Sequence, residues 1–155
     1  MKTLKPAKIN HLFRWNKMKK LPLIFFLLLF SLQIKAQQPQ PWMPANWVLL
    51  ADMTMSNGYG NKRFFDSSHV TKNGNDLSTY ILRSENYPIP MGSRSFQSTV
   101  MYAEYDCKKK LWSASHFYLL TGKNGDGEIV KEFNGENKWV EFIDQDKKLI
   151  TTYCK

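Results

Sequence analysis

The sequence is short of the residues that build metal and thiol chemistry. It has two cysteines and three histidines in 155 residues. Cys107 and Cys154 lack metal-type pairing, and the histidines are scattered, so a four-ligand zinc site is excluded. There is no phosphate-cradling glycine-rich loop and no dinucleotide fingerprint. "SASH" lacks the glycines and the strand-to-helix elbow of a hydrolase nucleophile. If Gly127 is taken as the sixth residue of a calcium loop, positions one and twelve fall on Gly122 and Phe133, and neither can serve. Asp66, Asp76, Glu104 and Asp106 are spread over turns and strand ends, with no glycosidase-type spacing. No cofactor, metal or catalytic residue is therefore expected.

A long apolar run is also missing. The longest, Leu21 to Leu32, has 12 residues, whereas a spanning helix needs about 20. It follows Lys19 and Lys20 and ends near Ile34-Lys35-Ala36, the order of a secretory signal peptide over residues 1–36. Met18 alone would open an ordinary signal. The preceding "MKTLKPAKINHLFRWNK" is either a long basic leader or the product of an upstream start. No cysteine follows the run to accept a lipid. The expectation is export to the periplasm, cell surface or exterior, without a stable membrane span.

Acids are absent before Gln37, and that absence distorts the charge. The whole chain carries 22 Lys and Arg against 13 Asp and Glu. Eight of the cations precede Gln37, so the rest holds 14 against 13, a net charge of +1. Counterion release needs a real cation excess, so a nucleic-acid partner is not expected. The local run Lys108–Lys110 is a candidate patch for an anionic partner. The competing reading is a solvated hairpin tip whose lysines blunt a strand edge.

Residues 37–45, "QQPQPWMPA", read as a Pro-rich flexible lead-in with no core of its own. The domain itself is expected over 46–155. Its periodicity is two rather than 3.6. "NWVLLADM", "KRFFD", "LSTYILRS", "FQSTVMYAEYDC", "LWSASHFYLL", "EIVKEF", "KWVEFI" and "LITTYC" read as strands. "KNGND" and "TGKNGDGE" are turns. "NYPIPMGSRS" reads as a loop because of its prolines and glycine, and a short helix is allowed inside residues 67–80. On "FQSTVMYAEYDC", Phe96, Ser98, Val100, Tyr102, Glu104 and Asp106 share one face, while Gln97, Thr99, Met101, Ala103, Tyr105 and Cys107 share the other. The fold expected is a small, mainly β, antiparallel sheet domain. Trp42, Trp47, Trp112 and Trp139 either fill its core or line a carbohydrate-binding surface.

In an exported chain the two cysteines meet an oxidising compartment, which favours a Cys107–Cys154 disulfide. It would close a loop of about 48 residues, worth about 4 kcal/mol in the chain-entropy model. The alternative is a small envelope enzyme, hydrolytic or built on a free thiol with His69 or His116 as base.

Several stretches fall in a known order: "NWVLL", "FFDSSHVTKNGNDLSTYIL", "YAEYDCKKKLWSASHFYLLTG", then "NKWVEF" and "TTYC". With Trp47, Asp66-Ser67-Ser68, Tyr80, Asp106-Cys107, Trp139 and Tyr153-Cys154, this order resembles the surface-adhesin protein E-like domain family over nearly all of 46–155. Where that family often has a Pro-Gly-Ser turn, this chain has "DQDKK". The resemblance implies an antiparallel sheet with bridged cysteines. It also implies a non-enzymatic binding role toward host or extracellular-matrix proteins such as laminin and vitronectin, and toward plasminogen. It carries over no ligand-contact residue, and the sequence sets no oligomeric state.

Overall fold

The computed structural model describes residues 40–155; the signal-peptide expectation and residues 37–39 lie outside it. Eight strands form one antiparallel sheet: β1 (Trp47–Asp52), β2 (Asn61–Asp66), β3 (Thr71–Asn73), β4 (Asp76–Met91), β5 (Arg94–Asp106), β6 (Leu111–Leu120), β7 (Ile129–Asn134) and β8 (Val140–Glu141). The spatial order is β1-β2-β4-β5-β6-β7, with β3 beside β4 and β8 beside β6. A 3-10 turn, Asp144–Asp146, leads into one helix, α1 (Lys147–Tyr153).

Strand alternation gives the sheet two different faces. Opposed residues of antiparallel strands share a face. Phe65 opposes Ile81, Ile81 opposes Met101, and Leu77 opposes Tyr105. These residues, with Ala103 and Leu149, are buried as one apolar cluster under α1. On the other face Leu82 opposes Val100, and both pack with Leu120 around Trp42. The first is the covered face and the second the open face. The helix covers the first. Among the described residues, the chain around Trp42 covers the second at one end.

The expectation for the lead-in is corrected at residues 40–45. Trp42 is fully buried between Tyr80 and Tyr118, with ring centroids 6.1 and 4.7 Å away. Its indole N–H donates to the Gly125 carbonyl at 3.3 Å. Gly125 has φ +79°, and a Cβ there would press on the Trp47 ring and Val100 at 3.3 Å. The segment is Pro-rich yet carries a core tryptophan, and burying so large an apolar side chain outweighs the poor local propensity.

"LITTYC" is helical, not extended. Leu149, Ile150, Tyr153 and Cys154 all pack on the covered-face cluster, as i, i+1, i+4 spacing on a helix allows. Thr151 and Thr152 donate their hydroxyls back to the Lys148 carbonyl at 3.1 and 2.8 Å, so both hydroxyls find a partner within the helix. "NYPIP" belongs to β4 rather than a loop. The pairing of β2 stops at Glu85, so Pro88 and Pro90 lie past the end of that neighbour, where a missing N–H breaks no ladder. The helix allowed inside 67–80 is instead the β3–β4 hairpin. "KWVEFI" keeps only a two-residue strand.

Candidate functional site

The β5–β6 hairpin places Lys108–Lys110 at an exposed tip. Lys110 takes a left-handed φ of 58° to close the turn. Asp106 accepts the Lys109 backbone N–H at 2.8 Å and its ammonium at 3.0 Å. Those hydrogen bonds and the charge of Lys109 hold the Asp106 carboxyl below the ordinary range. Lys108 and Lys110 enter no ion pair among the described residues.

Beneath the tip, Cys107 is bonded to Cys154 with a Cα–Cα distance of 5.2 Å. The bridge ties the end of α1 to the end of β5. A free-thiol reading thereby loses its nucleophile. Deeper on the covered face, Arg63 donates to both oxygens of Asp146 at 2.6 and 3.0 Å. The Tyr105 hydroxyl donates to the same carboxylate at 2.8 Å, and the guanidinium lies 5.3 Å from the Trp112 ring centroid. Burial and then the Asp146 charge push the Tyr105 hydroxyl well above its usual pKa. For Arg63, burial alone would lower the pKa, but the Asp146 carboxylate reverses it to a raised value. Asp146 is fully buried and Arg63 nearly so. This satisfied ion cluster anchors the helix and is closed to ligands.

The nearest approach to a catalytic triad is Asp66, Ser68 and His69. His69 Nδ1 lies 2.5 Å from Asp66 Oδ2 and 3.3 Å from Ser68 Oγ. A triad needs the acid and the nucleophile on opposite ring nitrogens; here both meet Nδ1. Ser68 Oγ instead donates to Asp66 at 2.5 Å, and the Asn46 N–H donates to it at 2.9 Å. Burial alone would raise the Asp66 pKa, but hydrogen bonds from Ser68, Asn46 and His69 outweigh it and hold the carboxyl low. The cluster pins the start of β1 to the end of β2. No group of three or more His, Cys, Asp or Glu side chains among the described residues is placed to hold a metal.

On the open face, Tyr80, Tyr102, His116 and Tyr118 line a groove of about 280 Å³. The register shift in β6 opposite Tyr102 brings His116 to this face. Next to the groove lies a cavity of about 680 Å³, bordered by Asp76, Glu104, Asp106 and Trp139. The alternation of β5 put Tyr102, Glu104 and Asp106 on one face from sequence alone. It gave no sign that Tyr80, Tyr118 and Asp76 would stand beside them, because that depends on which strands pair. Of the tryptophans weighed between core and surface, Trp42 is buried, Trp47 and Trp112 pack on the two cores, and Trp139 is 46% exposed.

No helix among the described residues is long and apolar enough to cross a membrane. No curated protein matches the chain. Solved structures similar to it include two of Haemophilus influenzae protein E. The selenomethionine form of Haemophilus influenzae protein E is 12% identical, with 69% of this chain and 94% of that one covered and a TM-score of 0.48. Protein E from non-typeable Haemophilus influenzae is 13% identical, with 70% and 84% covered and a TM-score of 0.43. The family model for surface-adhesin protein E matches residues 47–155, from the first strand through the second cysteine. On that match, the chain belongs to the surface-adhesin protein E family.

Proposed function

We propose that the protein is an exported, non-enzymatic adhesin-type module that binds a host or extracellular-matrix protein through the tip Lys108–Lys110. The observation that carries this reading is the tip itself. Two of its three lysines stand in solvent without an ion-pair partner among the described residues, on a turn fixed by the Asp106 cap and by the disulfide next to it. A rigid, exposed cluster of one sign steers an oppositely charged surface toward it. Membership of an adhesin family supports a binding role, and the signal-like segment 18–36 supports export.

Capture of the purified protein on immobilised laminin and vitronectin, at low and high salt, tests the proposal. Binding is expected to weaken with salt. It is expected to fall about tenfold in a Lys108→Glu/Lys110→Glu double variant. Capture that ignores both salt and the double variant would overturn the assignment to the tip, and no capture at any salt would overturn the matrix-protein reading.

A further inference from the structure

We propose that the open face of the sheet is a second binding surface, of opposite charge to the tip, which takes an extended cationic peptide segment of a protein partner. Strand register carries the case. Asp76 stands directly opposite Asp106, and Glu104 opposes Ser78 one step along the same face. Like charges placed opposite each other across a ladder destabilise it. Lys109 borders the same cavity and pairs with Asp106, and its charge also reaches Asp76, so Glu104 is the acid left without an ion-pair partner among the described residues. Glu132, opposite Tyr118, adds an acid on the far side. The net charge of residues 37–155 is +1, so this acidity is local and is not a property of the whole domain.

The chemistry around the acids matches a cationic side chain. Trp139 borders the acidic cavity and is 46% exposed, so it offers an indole face beside carboxylates. Guanidinium and ammonium groups are drawn to such rings. Ser113, directly opposite Glu104, is 3% exposed, and its Oγ has no partner among the described residues. It is a buried hydroxyl left unsatisfied next to Glu104. From the acidic cavity the surface runs on to the groove of Tyr80, Tyr102 and Tyr118, whose phenols pack a peptide's apolar atoms while their hydroxyls stay wet. Trp42 closes the far end. The result is a trough open at the acidic end, along strands long enough for several residues of extended chain.

Calorimetry and backbone-amide NMR on the purified protein, titrated with a hexa-arginine peptide, test this. Shifts are expected at residues 76, 102, 104 and 139, with affinity falling about tenfold in Asp76→Asn/Glu104→Gln and about threefold in Trp139→Ala. A hexa-citrulline peptide, the same shape without charge, is expected not to bind. Lys108→Glu/Lys110→Glu is expected to leave hexa-arginine binding intact, so loss of the tip function and loss of this one are separable. The proposal is overturned if citrulline binds as well as arginine, or if the Asp76/Glu104 variant binds unchanged. It is also overturned if a neutral chitohexaose shifts these amides while the arginine peptide does not, which would make the trough a glycan site.

Discussion

The two faces of this sheet are made from the same strands, residue by residue, yet they end in opposite states. On the covered face the alternating positions are Leu77, Ile81, Met101 and Tyr105, sealed under α1 by a disulfide and a buried ion cluster. On the open face the alternating positions begin with Leu82 and Val100 under Trp42 and then turn to tyrosines and acids that line a groove and a cavity among the described residues. The covered face can be read as the source of stability. The open face can be read as the part of the molecule left for contact. Substitutions that separate stability from binding test that division.

The largest effect is expected at Asp146. Replacing it with Ala leaves Arg63 buried without its counter-ion, a loss of about 3–5 kcal/mol, readable by urea unfolding. Removing the disulfide as Cys107→Ser/Cys154→Ser is expected to cost about 4 kcal/mol, visible as a lower melting temperature with no loss of any specific reaction. Trp42→Ala is expected to cost about 3 kcal/mol. That is the one large effect foreseen on the open face, and it would show that residues 40–45 belong to the folded unit. Acid comes next. The Asp66 carboxyl is held below its ordinary 3.8, so its stabilising contribution is present above that value and is lost as pH falls through the folded pKa. Thermal melts should therefore weaken below about pH 4 and do so less steeply in Asp66→Asn. The smallest effect is expected at Glu104. Glu104→Gln should change stability by less than about 0.5 kcal/mol while weakening the arginine peptide. If it destabilised the fold as much as the covered-face variants, the division between the faces would fail.

Much of the sheet was legible because strand burial repeats every two residues and that period is written locally. The span of β6 and the hairpin tip at Lys108–Lys110 follow from it directly. So does the exchange of Val100 and Met101 between faces. What misled was local propensity read without neighbours. Thr151 and Thr152 look extended until Lys148 accepts their hydroxyls and the covered core claims Leu149 and Tyr153. Pro88 and Pro90 look like loop residues until β2 is seen to stop short of them. Of the candidate surfaces, the lysine tip could be read directly because its residues are consecutive. The open-face trough could not, because Asp76, Glu104 and Trp139 come from three separated stretches.

By itself, then, the sequence determined the alternation that makes a two-faced antiparallel sheet, the presence of just two cysteines that could pair with each other, and the family order of its motifs. Each rests on spacing along the chain or on the number of available partners. The tertiary structure alone decided that the last residues form a helix over one face. It also decided that Trp42 caps one end of the other, and that acids and aromatic rings distant in sequence stand side by side. Those outcomes depend on which surfaces remain to be buried once the strands have paired, and no local window of sequence contains that information.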